Sequence, residues 1–230
     1  MDLKEIGKVD PDNFWYYLYK GQFIFDKAIK SLSKSEILFD VGAGSGYFAS
    51  IFVKYKKTSK AYCIDPFYSQ DQLGIKNNLN FVTAPPSEKA DVLLFIDVLE
   101  HVEDDLALLK SYISSSSADA LFVISVPAFK SLWSNHDVFL EHFRRYRKKD
   151  LRNLIKQAGL VEVESSYIFG SIFPLVWLIR KLKRSKTIQS DLKQSSKFVN
   201  FLILNYLKIE KVLPVNGLFG TSVFISAKKY

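Results

Sequence analysis

A single cysteine, Cys63, is all the disulfide chemistry available to this 230-residue chain. It lies inside the apolar run Ala61-Tyr62-Cys63-Ile64, so a disulfide framework is excluded and a reducing, cytosolic compartment is the expectation. Long hydrophobic runs are missing as well. The uncharged stretch from 165 to 179 is 15 residues long, short of the roughly 20 that a bilayer-crossing helix needs. Charges at Asp2, Lys4 and Glu5 stand where a signal peptide would need its apolar core, so no secretion signal is expected. No internal repeat, no Gly-x-Ser-x-Gly elbow and no Gly-x-x-x-x-Gly-Lys-Ser/Thr loop occurs, which removes the main sequence support for serine hydrolysis or P-loop phosphate chemistry.

Acidic residues are outnumbered, 24 against 32 basic, for a net charge of +8. A basic balance fits nucleic acid, anionic lipid or an acidic substrate, and its distribution is more informative than its size. One cluster is Arg144-Arg145-Tyr146-Arg147-Lys148-Lys149; a second, Arg180-Lys181-Leu182-Lys183-Arg184, directly follows the apolar run Ile172 to Ile179. An apolar-then-basic order suits a buried or interfacial helix, and residues 168–186 are the expected site of any peripheral membrane contact.

What the chain does have is a regular alternation. Short apolar runs at 37–40, 61–64, 81–83, 91–96 and 121–126 are expected as strands, with 161–167 and 221–227 as the last two. Between them Tyr47, Phe48, Ile51, Phe52 and Tyr55 recur at helical spacing, as do Val102, Leu106, Leu109 and Ile113, and then Leu151, Leu154, Ile155 and Ala158. The serine run Ser114 to Ser117 is expected to end the second of these helices. The pattern predicts one α/β domain over 1–230: a doubly wound, mostly parallel seven-stranded sheet with its site at the carboxyl strand ends. An aromatic helical segment over 1–35 precedes it, and a helical apolar and basic insertion over 168–215 interrupts it before the last strand.

Asp40-Val41-Gly42-Ala43-Gly44-Ser45-Gly46 follows the first strand directly. Glycines there present bare backbone to a small polar ligand. A dinucleotide fingerprint needs its third glycine at 47, where this chain has Tyr47. Asp65, 19 residues after Gly46, ends the second strand, where an acid can accept hydrogen bonds from both ribose hydroxyls of a nucleoside. The fourth strand runs into Asp97-Val98-Leu99-Glu100-His101-Val102-Glu103-Asp104-Asp105.

Taken together these motifs resemble the class I S-adenosylmethionine (SAM) dependent methyltransferases, a Rossmann-like fold. The later stretches Leu132-Trp133-Ser134-Asn135-His136-Asp137 and Glu141-His142-Phe143-Arg144-Arg145-Tyr146 look like a subgroup tied to ubiquinone, polysaccharide or lipid-linked pathways. The resemblance implies SAM as cofactor, held by Asp40, Gly42, Gly44, Gly46, Asp65, Pro66, Thr83, Ala84, Asp97 and Val98. Family members often carry an acid after the third strand; here Thr83-Ala84-Pro85-Pro86 follows, leaving only a hydroxyl and backbone for that contact. The implied reaction is methyl transfer to an oxygen of an amphipathic or lipid-linked small molecule. The alternatives are an RNA or other nucleic-acid methyltransferase, which would lack the Asn-Pro-Pro-Tyr type motif of amino-methylating enzymes, and a non-catalytic SAM-fold protein.

Methyl transfer from a sulfonium is an in-line displacement, so positioning and water exclusion dominate, with a base where the acceptor is a hydroxyl. His136 and His101 are the candidate bases, His136 having Asp137 beside it to orient its ring. Trp133, Asp137, His142, Arg144 and Arg145 are the candidate acceptor-binding residues, the arginines suiting a phosphate or carboxylate. Asp97-x-x-Glu100-His101 is also similar to the E-x-x-E-H cluster with which some ubiquinone-pathway and small-RNA methyltransferases hold a divalent ion. By that resemblance Asp97, Glu100, His101 and His136 form an alternative metal set; the metal-free reading is preferred.

Overall fold

The computed structural model describes residues 3–32, 37–55, 58–182, 188, 190, 193–210 and 214–229. Its centre is β1 (Ile37–Val41), buried from Leu38 onward and paired in parallel with β2 (Lys60–Ile64) on one side and β5 (Ala90–Ile96) on the other. Five further pairings extend the sheet through β3 (Gly74–Lys76), β4 (Leu79–Val82), β6 (Ser116–Pro127), β7 (Leu160–Ile168) and β8 (Ser222–Lys229) to the order β3-β4-β2-β1-β5-β6-β8-β7. Successive strands are added on one side of β1 as far as β4 and on the other side from β5 onward, and this change of side is the switch point at which open α/β sheets bind ligands.

Side chains alternate across this sheet, so each central strand feeds two cores. Leu38, Val92, Leu94, Leu121 and Val123 face helices α1 (Trp15–Ala28) and α2 (Tyr47–Lys54) through residues such as Phe25, Ala49 and Phe52. Phe39, Leu93, Phe95, Phe122 and Ile124 face α3 (Asp105–Ser114) and α5 (Lys148–Gln157) through Leu109, Leu151 and Ile155. Burial on both sides explains why these strands read as continuous apolar runs rather than alternating ones.

The strand count is a correction: eight among the described residues, not the expected seven. The addition, β3, forms an antiparallel hairpin with β4. Its two linking residues, Asn77 and Asn78, both have positive φ, 51° and 64°, as a two-residue hairpin turn with the sheet's twist requires and as asparagine tolerates. The serine run is also reassigned in part. Helix α3 closes at Ser114, but Ser116 and Ser117 already belong to β6, whose Ser116 pairs with Ala90.

Helix α1 has no capping side chain of its own. Its first amide, Trp15 N, donates instead to Asn200 Oδ1 at 3.1 Å, from α7 (Lys197–Glu210), which lies between β7 and β8 with α6 (Phe173–Leu182). At the other end of α7, buried Glu210 accepts from the amides of Gly170 (3.1 Å) and Ser171 (3.0 Å). The segment between the last two strands is thereby tied at both ends of α7, once to the start of α1 and once to the turn after β7.

Candidate functional site

A cleft of about 1590 Å³ opens at the carboxyl ends of β1, β2 and β5. That exceeds the usual 300–1,000 Å³ of a single-ligand pocket, leaving room for a cofactor and a second molecule together. Its floor includes Gly42, Asp65, Pro66, Thr83, Asp97 and Val98. The opposite wall is aromatic and apolar, with Phe14, Trp15, Tyr17, Trp133 and Phe169, and α6 adds Val176, Ile179 and Arg180.

Not every residue expected at the cofactor edge is on that floor. Gly42 lies on it with φ of 63°, and a Cβ added there would come within 2.8 Å of Val98 Cγ2, so the bare backbone is required. Gly44 and Gly46 also have positive φ, 52° and 73°, but serve the turn; Gly46 is the residue from which α2 starts. Asp40 sits behind the glycines, where its Oδ2 accepts from Ala49 N at 3.2 Å and so satisfies one of the open amides of α2. Burial pushes its pKa up to about 7. Ala84 is exposed and outside the cleft lining.

Asp65 is 6% exposed and already held at two points. Its Oδ2 accepts from Gly44 N at 3.2 Å and its Oδ1 from Phe67 N at 3.0 Å. A carboxylate has about four acceptor positions. Two therefore remain for a ligand, with the group's orientation fixed beforehand by the glycine turn.

Lys20, not among the residues expected at the site, backs the cleft lining through Asp97. It is 0% exposed, and its Nζ donates to Asp97 Oδ1 (2.7 Å) and Oδ2 (2.5 Å) and to Tyr16 Oη (3.3 Å). Burial works against the ammonium, but the Asp97 carboxylate outweighs it and raises the lysine's pKa above its ordinary value. Asp97 itself has a φ of 55°, an uncommon conformation for a residue with a side chain, right at the end of β5. The available signal was a lone lysine directly after the aromatic run Trp15-Tyr16-Tyr17-Leu18-Tyr19.

The loop after β6 rearranges the expected partnerships. Asp137, in the short helix α4 (Asn135–Phe139), does not orient His136. A turn through Glu141, at φ of 59°, brings His142 back so that its Nδ1 lies 2.9 Å from Asp137 Oδ1. Arg145 clamps the same carboxylate with Nε at 2.6 Å and an Nη at 3.1 Å. His136 is 3.9 Å from a different carboxylate, the buried Glu5. Arg144 turns away from the cleft lining to Asp105 (3.2 Å) and the Glu103 carbonyl (2.6 Å). Asp137 is fully buried behind the wall, whereas Trp133, His142 and Arg145 line the cleft.

Burial alone would raise the Asp137 carboxyl, yet the His142 hydrogen bond and the Arg145 charge hold it below the usual carboxylate range. A depressed folded pKa gives stability that is present above the unfolded value of about 3.9 and lost as pH falls through the folded one. Asp137→Asn is expected to lower stability at neutral pH by about 3 kcal/mol, because it strands a buried guanidinium. The gap to wild type should narrow below about pH 4, read from urea midpoints across a pH series.

Among the described residues the ligand atoms of Glu100, His101 and His142 lie within 4.8 Å of one another. Asp97 and His136 fall outside this group, so the four-residue metal set expected from the sequence is not assembled. The two imidazoles meet edge-on at 4.6 Å between centroids. Glu100 is completely buried, neither of its oxygens has a hydrogen-bond partner, and the same holds for His142 Nε2. Burial, and then Asp97 nearby, raise the Glu100 carboxyl well above its ordinary pKa. Two imidazoles and a carboxylate form a donor set that suits a divalent ion, with Asp137 orienting the His142 ring from behind.

A Rossmann-like sheet, a glycine turn backed by two carboxylates and a cleft large enough for donor and acceptor define the class I SAM-dependent methyltransferases. A family model for the methyltransferase domain matches residues 19–165, well over half of the chain. The chain belongs to this family. A SAM-dependent methyltransferase from Archaeoglobus fulgidus has a similar structure, at 18% identity and a TM-score of 0.56, covering 93% of this chain and 99% of that one. So does the 1,6-didemethyltoxoflavin-N1-methyltransferase of Burkholderia thailandensis, solved with 1,6-didemethyltoxoflavin and S-adenosylhomocysteine: 16% identity, TM-score 0.56, 94% of this chain and 80% of that one. At such identities the likeness is one of fold. An uncharacterized protein of Methanocaldococcus jannaschii is 29% identical over 116 residues, 43% of this chain and 45% of that protein, so the match spans under half of that relative. SAM is the cofactor of the class, and the bare backbone at Gly42 and the two open acceptor positions on Asp65 fit it.

Proposed function

We propose that the chain transfers the methyl group of SAM to an oxygen of an amphipathic or lipid-linked small molecule. The observation that carries this reading is the continuity of one cleft from the polar edge at Gly42, Asp65 and Asp97 to an aromatic wall at Trp15, Trp133 and Phe169. Asp65 takes the ribose hydroxyls, while Pro66, Phe67, Thr83 and Val98 surround the base. Asp97, fixed by Lys20, faces the donor's amino-acid end. The apolar wall seats the acceptor and keeps water away from the sulfonium, the condition under which a positioned displacement proceeds fastest. An apolar wall argues against a nucleic-acid acceptor, whose binding would rest on phosphate contacts. Residues 168–186 supply the contact with a cytoplasmic membrane surface from which such an acceptor would be drawn; 183–186 lie outside the described residues.

Of the two candidate bases, the geometry favours His101 over His136, because His101 shares a corner of the cleft with Glu100 and His142. A divalent ion held by these three groups would serve instead by lowering the hydroxyl's pKa. Dialysis against a chelator separates the alternatives: turnover that is lost and then restored by Mg²⁺, Mn²⁺ or Zn²⁺ assigns the metal, and unchanged turnover assigns the imidazole.

Incubation with methyl-labelled SAM and a membrane lipid extract should put label into the organic phase. His101→Ala should lower that rate about 10²- to 10⁴-fold while leaving SAM affinity unchanged, as expected of a group that acts on the acceptor proton. Label transferred to RNA and not to lipid would overturn the acceptor, and absence of SAM binding would overturn the whole reading.

A further inference from the structure

Helix α7 is apolar on two faces, and the described residues cover only one of them. Leu207 is buried in the core with Ile203 and Leu204 packed beside it, and Asn200 and Glu210 on the same side are buried and bonded to the start of α1 and the turn after β7. These ties fix the helix in rotation. Phe198, Phe201, Leu202, Tyr206 and Ile209 fall at i, i+3, i+4, i+8 and i+11, one stripe, and each is 50% to 70% exposed. Helix α6 repeats the situation: none of its residues is buried, and Leu175, Leu178 and Leu182 are all exposed. Apolar exposure on this scale marks a surface that something covers.

The geometry points to an anionic bilayer as that cover, with α7 as well as α6 lying in the headgroup region. Among the described residues of 173–210 five side chains are basic, Arg180, Lys181, Lys193, Lys197 and Lys208, against one acid, Glu210, which is buried. A second copy of the chain would bring like charges together, whereas anionic lipid complements them. No described helix is long and apolar enough to cross a membrane. The rings of Trp177 and Tyr206 and the Lys181 ammonium, 4.8 Å from the Trp177 centroid, are groups suited to the boundary between acyl chains and headgroups. Helix α6 divides its surface between the two sites: Val176 and Arg180 line the cleft while Leu175, Leu178 and Leu182 stay outside it. Docking through these helices would set the cleft beside the lipid that holds the acceptor, and in that respect the inference rests on the reading above.

The test is flotation of the full chain, without SAM, on phosphatidylcholine vesicles and on the same vesicles with about a third phosphatidylglycerol. Binding is expected on the anionic vesicles, and the Phe201→Asp/Leu202→Asp variant should bind them about tenfold more weakly or worse. Ile75→Asp, at an exposed apolar position on β3, should bind like wild type. Unchanged circular dichroism and SAM affinity in the double variant show that its fold is intact. Failure of the wild type to bind either vesicle, or wild-type binding by the double variant, overturns the inference. So does a dimer in light scattering that the double variant dissociates, which would make a second copy the occupant. Vesicle binding without label transfer to lipid would leave the docking surface standing and sink the proposed acceptor alone.

Discussion

Asp65→Ala should weaken binding of SAM and S-adenosylhomocysteine about a hundredfold, measured by calorimetry. Two hydrogen bonds from ribose hydroxyls to a carboxylate are together worth about 3 kcal/mol, which is roughly two decades in affinity. A second loss adds to the first. Asp65 accepts from Gly44 N and Phe67 N, so its removal also frees the turn that shapes the cofactor floor. Asp65→Asn discriminates between charge and shape. The amide keeps the size of the side chain, but its nitrogen cannot accept, so either a backbone bond or a ribose bond must be given up. The asparagine variant is therefore expected to lose nearly as much affinity as alanine. An asparagine variant that binds like wild type would show that the ribose is held elsewhere.

The motifs at Gly42 and Asp65 could be read from the sequence because each directly follows one of the first two strands of a sheet buried on its two faces. Continuous apolar runs ending in a glycine turn and an acid have few other uses. Gly74-Ile75-Lys76 offered no such signal: three exposed residues carry no burial pattern, and Asn77-Asn78 was the mark of the hairpin. Partnerships in the loop after β6 were hidden for another reason. Sequence adjacency suggested that Asp137 serves His136, but α4 and the positive φ at Glu141 fold the chain back by five residues, so that the carboxylate meets His142. Arg144 and Arg145 are neighbours that point to different carboxylates, Asp105 and Asp137. The Lys20–Asp97 pair spans 77 residues, a distance over which no local pattern carries information.

Lys20→Met should then be the most destabilising of the substitutions considered, by about 3 kcal/mol or more, since a buried pair is being broken and Asp97 retains only its partial contact with solvent. For a chain of this length that corresponds to a fall of roughly 6–12 °C in Tm. The pH dependence identifies the cause. In the wild type the raised Lys20 pKa gives stability that is complete below the unfolded value of about 10.4 and lost as pH rises through the folded one, so the pair adds no slope near neutrality. Asp97→Asn reverses the sign. With its anion gone, the fully buried ammonium would titrate below 10.4, and the unfolded chain would bind more protons than the folded one across the intervening range. Stability of Asp97→Asn should therefore rise between about pH 7 and pH 10, where wild type stays flat. The double variant Lys20→Met/Asp97→Asn has neither stranded charge and should recover part of the loss. Parallel pH profiles for wild type and Asp97→Asn would mean that Lys20 reaches water, and that its ammonium does not depend on Asp97 for its charge.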